Sequence, residues 1–128
     1  MKLVIIESPF SGDQEKNRDY AMKCLLDSLD RGEAPFASHL LYTQVLDDLK
    51  PEQRTLGIEA GLAWGKKADL TAVYTDLGIS KGMEFGIDRA KSEGREIEYR
   101  KLCVQNTKFA DKDTKERCTR IGTQGEGL

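Results

Sequence analysis

The sequence predicts an α/β fold, a Rossmann-like or flavodoxin-like three-layer sandwich with a mostly parallel sheet of four or five strands. Two short apolar runs, Leu3–Ile6 and Leu70–Tyr74, are continuous rather than alternating. Continuous runs are typical of strands covered on both faces, as in parallel sheets. Helical patterns separate the predicted strands, and parallel neighbours require such crossovers.

The composition limits the functional classes. The 128 residues suit one domain with one core. Hydrophobic residues make up 38% of the chain and charged residues 33%, which indicates a soluble, folded protein. The net charge of -2 gives little support for a nucleic-acid partner. The first apolar run is too short for a signal peptide or a membrane span, so we expect no membrane partner.

Cysteine and histidine usage bears on location and cofactors. Cys24, Cys103 and Cys118 are widely spaced and form no C-x-x-C pair, which indicates a reducing, cytoplasmic compartment. His39 is the one histidine of the chain, and one histidine with scattered cysteines does not build a zinc or iron site. We therefore expect no metal and no cofactor.

The first strand spans Lys2 to Glu7 and stops at the breakers Pro9 and Gly12. Asp13 can cap a helix that runs to about Arg31 and ends before Gly32. Its predicted buried face consists of residues at helical spacing, namely Tyr20, Cys24, Leu25 and Leu29. We expect a short second strand over Ala34 to Leu40, which would complete a βαβ unit.

A loop or one-turn helix follows from Leu41 to Asp48, and the second main helix begins near Pro51 and runs to Lys67. Glycine recurs every fourth residue within this helix, at positions 57, 61 and 65. Each glycine costs up to ~1 kcal/mol in a helix interior. Close packing on the sheet, close packing on a second subunit, or room for a ligand would explain the row.

The third strand covers Asp69 to Thr75, and a Gly/Ser-containing loop leads into a helix that ends at Gly94. The fourth strand, Glu96 to Leu102, alternates apolar and charged residues, which is typical of an edge strand with one wet face. We divide the chain into a domain over residues 1–103 and a polar tail over residues 104–128.

Candidate chemistry lies where three predicted strands end. The Ser8–Gly12 turn could cradle a phosphate through its backbone N–H groups, although such turns are common. His39 could be a catalyst or a packed, capping group. Asp76 and Glu84 could perform acid–base or glycosidic chemistry. Asp76 could equally form a turn before Gly78, and Glu84 could complement only the helix dipole.

Several segments together resemble the nucleoside 2-deoxyribosyltransferase family. Gly82-Met83-Glu84-Phe85-Gly86, followed by Ala90, resembles its G-x-E-L-G-x-A signature, and the branch of 2'-deoxynucleoside 5'-phosphate N-hydrolases is closest in size. Val4–Gly12 is similar to the first strand and phosphate loop, and Ser38-His39 is similar to that branch's Glu-His. Leu62–Leu70 resembles Leu-x-Trp-x-x-x-Ala-Asp-Val. The chain also resembles a group of small bacterial and phage proteins with Ser-Pro-Phe/Tyr-x-Gly and Ser-x-Gly-Met motifs.

The resemblance implies roles for individual positions. Glu84 would be the nucleophile that attacks the anomeric carbon, and Asp76 would orient the sugar. Nucleotide-binding positions would be Ser8, Phe10, Ser11, Gly12, His39, Ser80, Gly82 and Met83. One departure is clear: the family carries an Asp that handles the leaving base just before Leu-x-Trp, and this chain has Gly61 there.

Two nucleotide-related functions remain open, and a structural homodimer module is a third. The first is N-glycosidic bond hydrolysis or transfer on a (deoxy)nucleoside 5'-monophosphate through Glu84. The second is non-catalytic binding of a nucleotide or nucleotide-sugar, as in a phage-type sensor or sequestering protein, and Gly61 favours it. The resemblance and the glycine row also imply a homodimer or higher homo-oligomer.

Overall fold

A computed structural model describes residues 1–102, so the predicted tail lies outside the described residues. The described part forms a four-stranded, all-parallel sheet in the order β2-β1-β3-β4. The elements are β1 (Leu3–Glu7), α1 (Gln14–Asp30), β2 (Ala34–Phe36), α2 (Ser38–Leu41), α3 (Pro51–Gly65), β3 (Leu70–Tyr74), α4 (Lys81–Ser92) and β4 (Glu96–Arg100). The predicted α/β class is confirmed.

Hydrophobic clusters lie on both faces of β3, and every residue of this strand is buried. Its alternate residues Leu70, Ala72 and Tyr74 pack with Tyr20 and Cys24 of α1. Val73 points the opposite way and packs with the α4 residues Met83 and Ile87. The continuous apolar run is therefore explained by helices on both sides of a central strand.

Helix α1 follows the predicted cap, because the Asp13 carboxylate accepts a hydrogen bond from the Lys16 backbone N–H. The prediction that Leu29 is buried is wrong, since its side chain is 50% exposed. Asp27 and Ser28 are buried in its place. They belong to a polar network that joins α1 to β3 and β4, and an apolar period cannot reveal such positions.

That network centres on Arg100, the last residue of β4. Its guanidinium donates to both carboxylate oxygens of Glu33, at 2.8 and 2.7 Å, and to the Tyr74 hydroxyl at 3.2 Å. The Tyr74 hydroxyl in turn donates to Asp27 at 2.6 Å. Strand β4 is at the edge of the sheet, as predicted. Its last residue, Arg100, is nevertheless only 4% exposed, so the charged residues of β4 do not all face solvent.

The second strand is much shorter than predicted. It ends at Phe36, and the chain turns into α2 at Ser38, followed by a 3-10 turn over Tyr42–Gln44. Only three of its residues pair with β1, and β2 forms the other edge of the sheet. His39 therefore lies in a short helix rather than at a strand end.

The glycine row of α3 packs against other parts of the same chain. A Cβ at position 57 would lie 3.3 Å from Leu46 Cδ1, and one at position 61 would lie 2.8 Å from Ser38 Cβ. At position 65 the neighbour is the Arg95 guanidinium at 3.5 Å. The predicted close packing on the sheet is not observed, because the neighbours of the row are Ser38 of α2, Leu46 and Arg95, which lie outside the strands.

Candidate functional site

The carboxyl ends of β1 and β3 are neighbours, because Glu7 pairs in register with Val73. The loops that follow these strands, Ser8–Asp13 and Thr75–Ser80, therefore begin at the same edge of the sheet. Ligands of open α/β sheets bind at this edge. The site predicted from the sequence is distributed over these two loops and the first turns of α2 and α4.

The loop after β1 is held from behind by Asn17. The Asn17 side-chain amide donates to the carbonyl oxygens of Phe10 and Ser11, at 3.1 and 2.9 Å. Gly12 has a φ of 99°, a conformation that L side chains rarely adopt. Ser11 and Gly12 are exposed. The loop therefore has a fixed shape with an accessible outer surface, which is what an anion cradle requires.

Ser8 and His39 form a side-chain pair. The distance from Ser8 Oγ to His39 Nε2 is 2.9 Å, and Phe10 meets the imidazole edge-on with 6.2 Å between ring centroids. Burial lowers the pKa of His39 to about 4, so the ring is neutral near pH 7. These three predicted residues are brought together, and they present a hydroxyl, a neutral imidazole and an aromatic edge.

Ser80 begins α4 with a cap. Its hydroxyl accepts from the Met83 N–H at 3.2 Å, and the Met83 sulfur accepts from the Ser80 N–H at 3.4 Å. Met83 is 1% exposed and packs under the helix, so its burial does not favour direct contact with a ligand. Gly82 is exposed in the first turn.

Glu84 lies in the first turn of α4 with an exposed side chain. Its backbone N–H donates to the Ser80 carbonyl, which fixes the helix start. Within residues 1–102 its carboxylate makes no hydrogen bond or ion pair. A free carboxylate at a helix start on the carboxyl edge is available for chemistry, and the same position is also favourable for the helix dipole alone.

Asp76 has structural partners. Its Oδ2 accepts from the Tyr20 hydroxyl at 2.6 Å and from the Leu102 N–H at 3.0 Å, while the Tyr20 hydroxyl accepts from the Asp76 N–H at 3.0 Å. Burial, together with Cys24 and Asp76, raises the pKa of Tyr20, so the phenol stays protonated as the donor. Asp76 thus links α1 to the chain after β4, and its second oxygen, Oδ1, makes no such bond in the described region.

The sequence reasoning missed Glu7, the last residue of β1. Glu7 is half-buried, and desolvation raises the pKa of its carboxyl to about 8, although Arg95 acts in the opposite direction. The sequence marks this position, since a glutamate ends an otherwise apolar strand and lies at the carboxyl edge of the sheet.

Residues 1–102 form neither a candidate metal site nor a candidate membrane span. No group of three or more His, Cys, Asp or Glu side chains in this part of the chain could hold a metal ion. None of its helices is both long and apolar enough to cross a bilayer.

Comparisons with known proteins address the fold and the family. The family model described as "Domain of unknown function (DUF7768)" matches residues 2–100. No curated protein matches the sequence. A solved structure of a 2-deoxyribosyltransferase from Bacillus psychrosaccharolyticus is similar, with a TM-score of 0.56 and 19% identity, and the match covers 88% of this chain and 81% of that one. At this identity the similarity shows a shared fold.

Proposed function

This chain belongs to the family of domains of unknown function DUF7768, and we propose that it cleaves or transfers the N-glycosidic bond of a (deoxy)nucleoside 5'-monophosphate. The observation that carries the proposal is the position of Glu84. Glu84 lies in the first turn of α4, at the ligand-binding edge of a fold shared with a 2-deoxyribosyltransferase. Its carboxylate is exposed and has no partner in the described residues. In this proposal Glu84 attacks the anomeric carbon and forms a glycosyl-enzyme intermediate.

The surrounding residues have distinct roles in the proposal. Exposed N–H groups at Ser11 and Gly12 bind the 5'-phosphate, and the start of α4 at Ser80 and Gly82 faces the ribose. The Phe10 ring and neutral His39 line the pocket for the base. A neutral imidazole suits a base edge better than a phosphate, because it adds no positive charge. Asp76 orients the sugar through the oxygen that Tyr20 and Leu102 leave free.

A second function is non-catalytic binding of the same ligand class. The close approach of Gly61 to Ser38 favours it, because the leaving-group Asp of the nucleoside 2-deoxyribosyltransferase family would not fit at position 61 in this packing. In that case the protein would sense or sequester a nucleotide, as a phage-type protein could, and Glu84 would contribute only to the helix start.

We also propose that two copies associate through α3. Of its 15 residues only Gly65 is buried, and large apolar side chains remain exposed at positions 56, 58 and 64. Trp64 is 57% exposed although it packs on Phe36 and donates to the Tyr42 hydroxyl. Exposed apolar surface of this kind marks interaction sites. A cytoplasmic location, inferred from the cysteines, completes the proposal.

Base release and ligand binding test the function together. Wild type should release free base from a 2'-deoxynucleoside 5'-monophosphate in a chromatographic assay, and Glu84→Gln should release none while it still binds the nucleotide. Binding is measured as stabilisation of the fold, about 2.7 kcal/mol at a hundredfold excess over Kd. Binding without release by wild type would support the sensor, and no thermal shift with any nucleotide would exclude both functions.

A further inference from the structure

Ser8 is the first residue after β1, and its side chain turns into the protein. The residue is 5% exposed. Within residues 1–102 its hydroxyl has one hydrogen-bond partner, His39 Nε2 at 2.9 Å. A hydroxyl engaged in this way is not free to bind a phosphate. Any effect of the Ser8 hydroxyl on a ligand therefore passes through His39.

The hydrogen bond between these two side chains fixes which nitrogen of the imidazole carries the proton. A neutral imidazole has one donor and one acceptor nitrogen, and burial lowers the pKa of His39 to about 4, so the ring is neutral near pH 7. If Nε2 carried the proton, the Ser8 hydroxyl would only accept, and its own proton would have no acceptor in the described residues. A buried donor without an acceptor is costly. The hydroxyl therefore donates to Nε2, and the ring proton lies on Nδ1.

The Nδ1 atom of His39 is available to a ligand. It has no hydrogen-bond partner in residues 1–102, where the one fully buried side-chain nitrogen or oxygen without a partner is Asp27 Oδ1. Nδ1 is therefore not a fully buried atom, and His39 as a whole is half-buried. The Phe10 ring lies edge-on to the imidazole, with 6.2 Å between the centroids. The pair of Ser8 and His39 thus presents one accessible N–H donor beside an aromatic ring.

The order of the strands separates His39 from the start of α4. Helix α2 follows β2, whereas α4 follows β3, and β1 lies between these two strands. Neighbouring strands are about 4.8 Å apart, so the ends of β2 and β3 are roughly 10 Å apart. In the proposed complex the sugar lies at the start of α4. A base that extends from there toward α2 meets His39 with the edge farthest from the sugar, which carries the 6-substituent of a purine or the 4-substituent of a pyrimidine.

We propose that Ser8 is a positioning residue that holds His39 as a donor through Nδ1, so that the site selects 6-oxopurine and 4-oxopyrimidine nucleotides over their amino counterparts. This inference deepens the proposed nucleotide function and rests on it, and it applies to the enzyme and to the sensor alike. A carbonyl oxygen accepts from Nδ1–H, whereas an exocyclic amino group brings a second donor to the same place. To accept from that amino group, the ring would have to move its proton to Nε2, which leaves the Ser8 proton without an acceptor.

Two pairs of nearly isosteric nucleotides test the selection. They are the 5'-monophosphates of 2'-deoxyinosine and 2'-deoxyadenosine, and those of 2'-deoxyuridine and 2'-deoxycytidine. Calorimetric titration in a Glu84→Gln background gives each Kd without turnover. The oxo member of each pair should bind about 5–150-fold more tightly, the ratio that corresponds to one donor left without an acceptor. Ser8→Ala in the same background should bring both ratios close to one, because a ring without the Ser8 hydroxyl can adopt either tautomer.

Nitrogen NMR measures the tautomer without any ligand, because His39 is the one histidine of the chain. In ¹⁵N-labelled wild type, the imidazole shifts should identify Nδ1 as protonated and Nε2 as the acceptor. Ser8→Ala should lose that preference, and Ser8→Thr, which keeps the hydroxyl, should retain it. Ser92→Ala removes an exposed hydroxyl from α4 as a matched control, and it should change neither the tautomer nor the Kd ratios.

The outcomes separate this inference from the function on which it rests. A proton on Nε2 in wild type would overturn the proposal with nucleotide binding intact. So would amino nucleotides that bind as tightly as their oxo partners, or an oxo preference that Ser8→Ala retains. Failure of all four nucleotides to bind would overturn the proposed function and the selection together.

Discussion

The contact between Gly61 and Ser38 makes a specific prediction about stability. A methyl group at position 61 would lie 2.8 Å from Ser38 Cβ and 2.9 Å from Ser38 Oγ. Carbon atoms prefer separations of about 3.5–4.0 Å, so α2 and α3 must move apart by roughly 1 Å. Ser38 Cβ is bonded directly to the backbone and cannot rotate away. The strain therefore falls on the packing of the two helices.

Two opposing terms set the size of the effect of Gly61→Ala. Overpacking costs about 1–3 kcal/mol, and a contact that only backbone movement can relieve belongs in the upper half of that range. Alanine in place of glycine returns about 1 kcal/mol of helix propensity. We therefore expect the free energy of unfolding to fall by about 1–2 kcal/mol.

Gly57→Ala is the matched control on the same helix. Its new methyl group meets Leu46 Cδ1 at 3.3 Å, and this atom is the end of a flexible side chain. We expect no loss of stability, or a gain of up to about 1 kcal/mol. The two alanine variants of one glycine row should thus have effects of opposite sign.

Urea denaturation at one fixed protein concentration measures both effects, because the stability of a dimer would depend on concentration. The double variant Ser38→Gly/Gly61→Ala removes the clash and should show a favourable coupling of about 1 kcal/mol or more, beyond the ~0.3–0.5 kcal/mol error of additivity. The reasoning is refuted if Gly61→Ala stabilises as Gly57→Ala does, or if the Ser38 and Gly61 changes simply add.

Three further predictions concern the network, Glu7 and the assembly. Arg100→Met should lower the free energy of unfolding by about 3–5 kcal/mol in a denaturant titration, because it leaves the Glu33 carboxylate without its bidentate partner; a loss below about 1 kcal/mol would contradict it. Glu7 has a pKa of 4.5 in the unfolded chain and about 8 in the folded protein, so the free energy of unfolding should be highest below pH 4.5 and should fall between pH 4.5 and pH 8. Glu7→Gln should remove this pH dependence, and an unchanged pH dependence in the variant would contradict the raised pKa of Glu7. Light scattering should give twice the 14.3 kDa monomer mass, and Trp64→Lys should give the monomer; a monomeric wild type at micromolar concentration would exclude the dimer.

The order of elements could be predicted because it depends on local signals. Continuous apolar runs indicate β1 and β3, and Asp13 caps α1 and Pro51 begins α3 as predicted. The length of β2 could not be predicted in this way. The length of a strand depends on how many residues of the neighbouring strand pair with it. The sequence of residues 37–40 does not show that only three residues of β1 pair with β2.

The positions of the candidate site's residues could be predicted only in part. Ser8 follows β1 as predicted, whereas His39 lies in α2 rather than at a strand end. Their side chains, 31 residues apart in the sequence, are nevertheless in hydrogen-bonding distance. The resemblance implies that Met83 binds the nucleotide, but Met83 is buried against Val73 and Ile87. Glu7 was not predicted as a site residue, because the apolar run before it indicates a strand and does not indicate the role of the charged residue that ends it.

The two hydrogen bonds from Asn17 to the loop after β1 should affect the kinetics of ligand binding. The Asn17 amide occupies the carbonyl oxygens of Phe10 and Ser11 before any ligand arrives. Ordering a backbone residue costs about 1–2 kcal/mol, and here folding has already met that cost. A phosphate that meets this loop should therefore bind in a single bimolecular step whose observed rate rises linearly with ligand concentration, without the plateau that a slow rearrangement of the loop would impose.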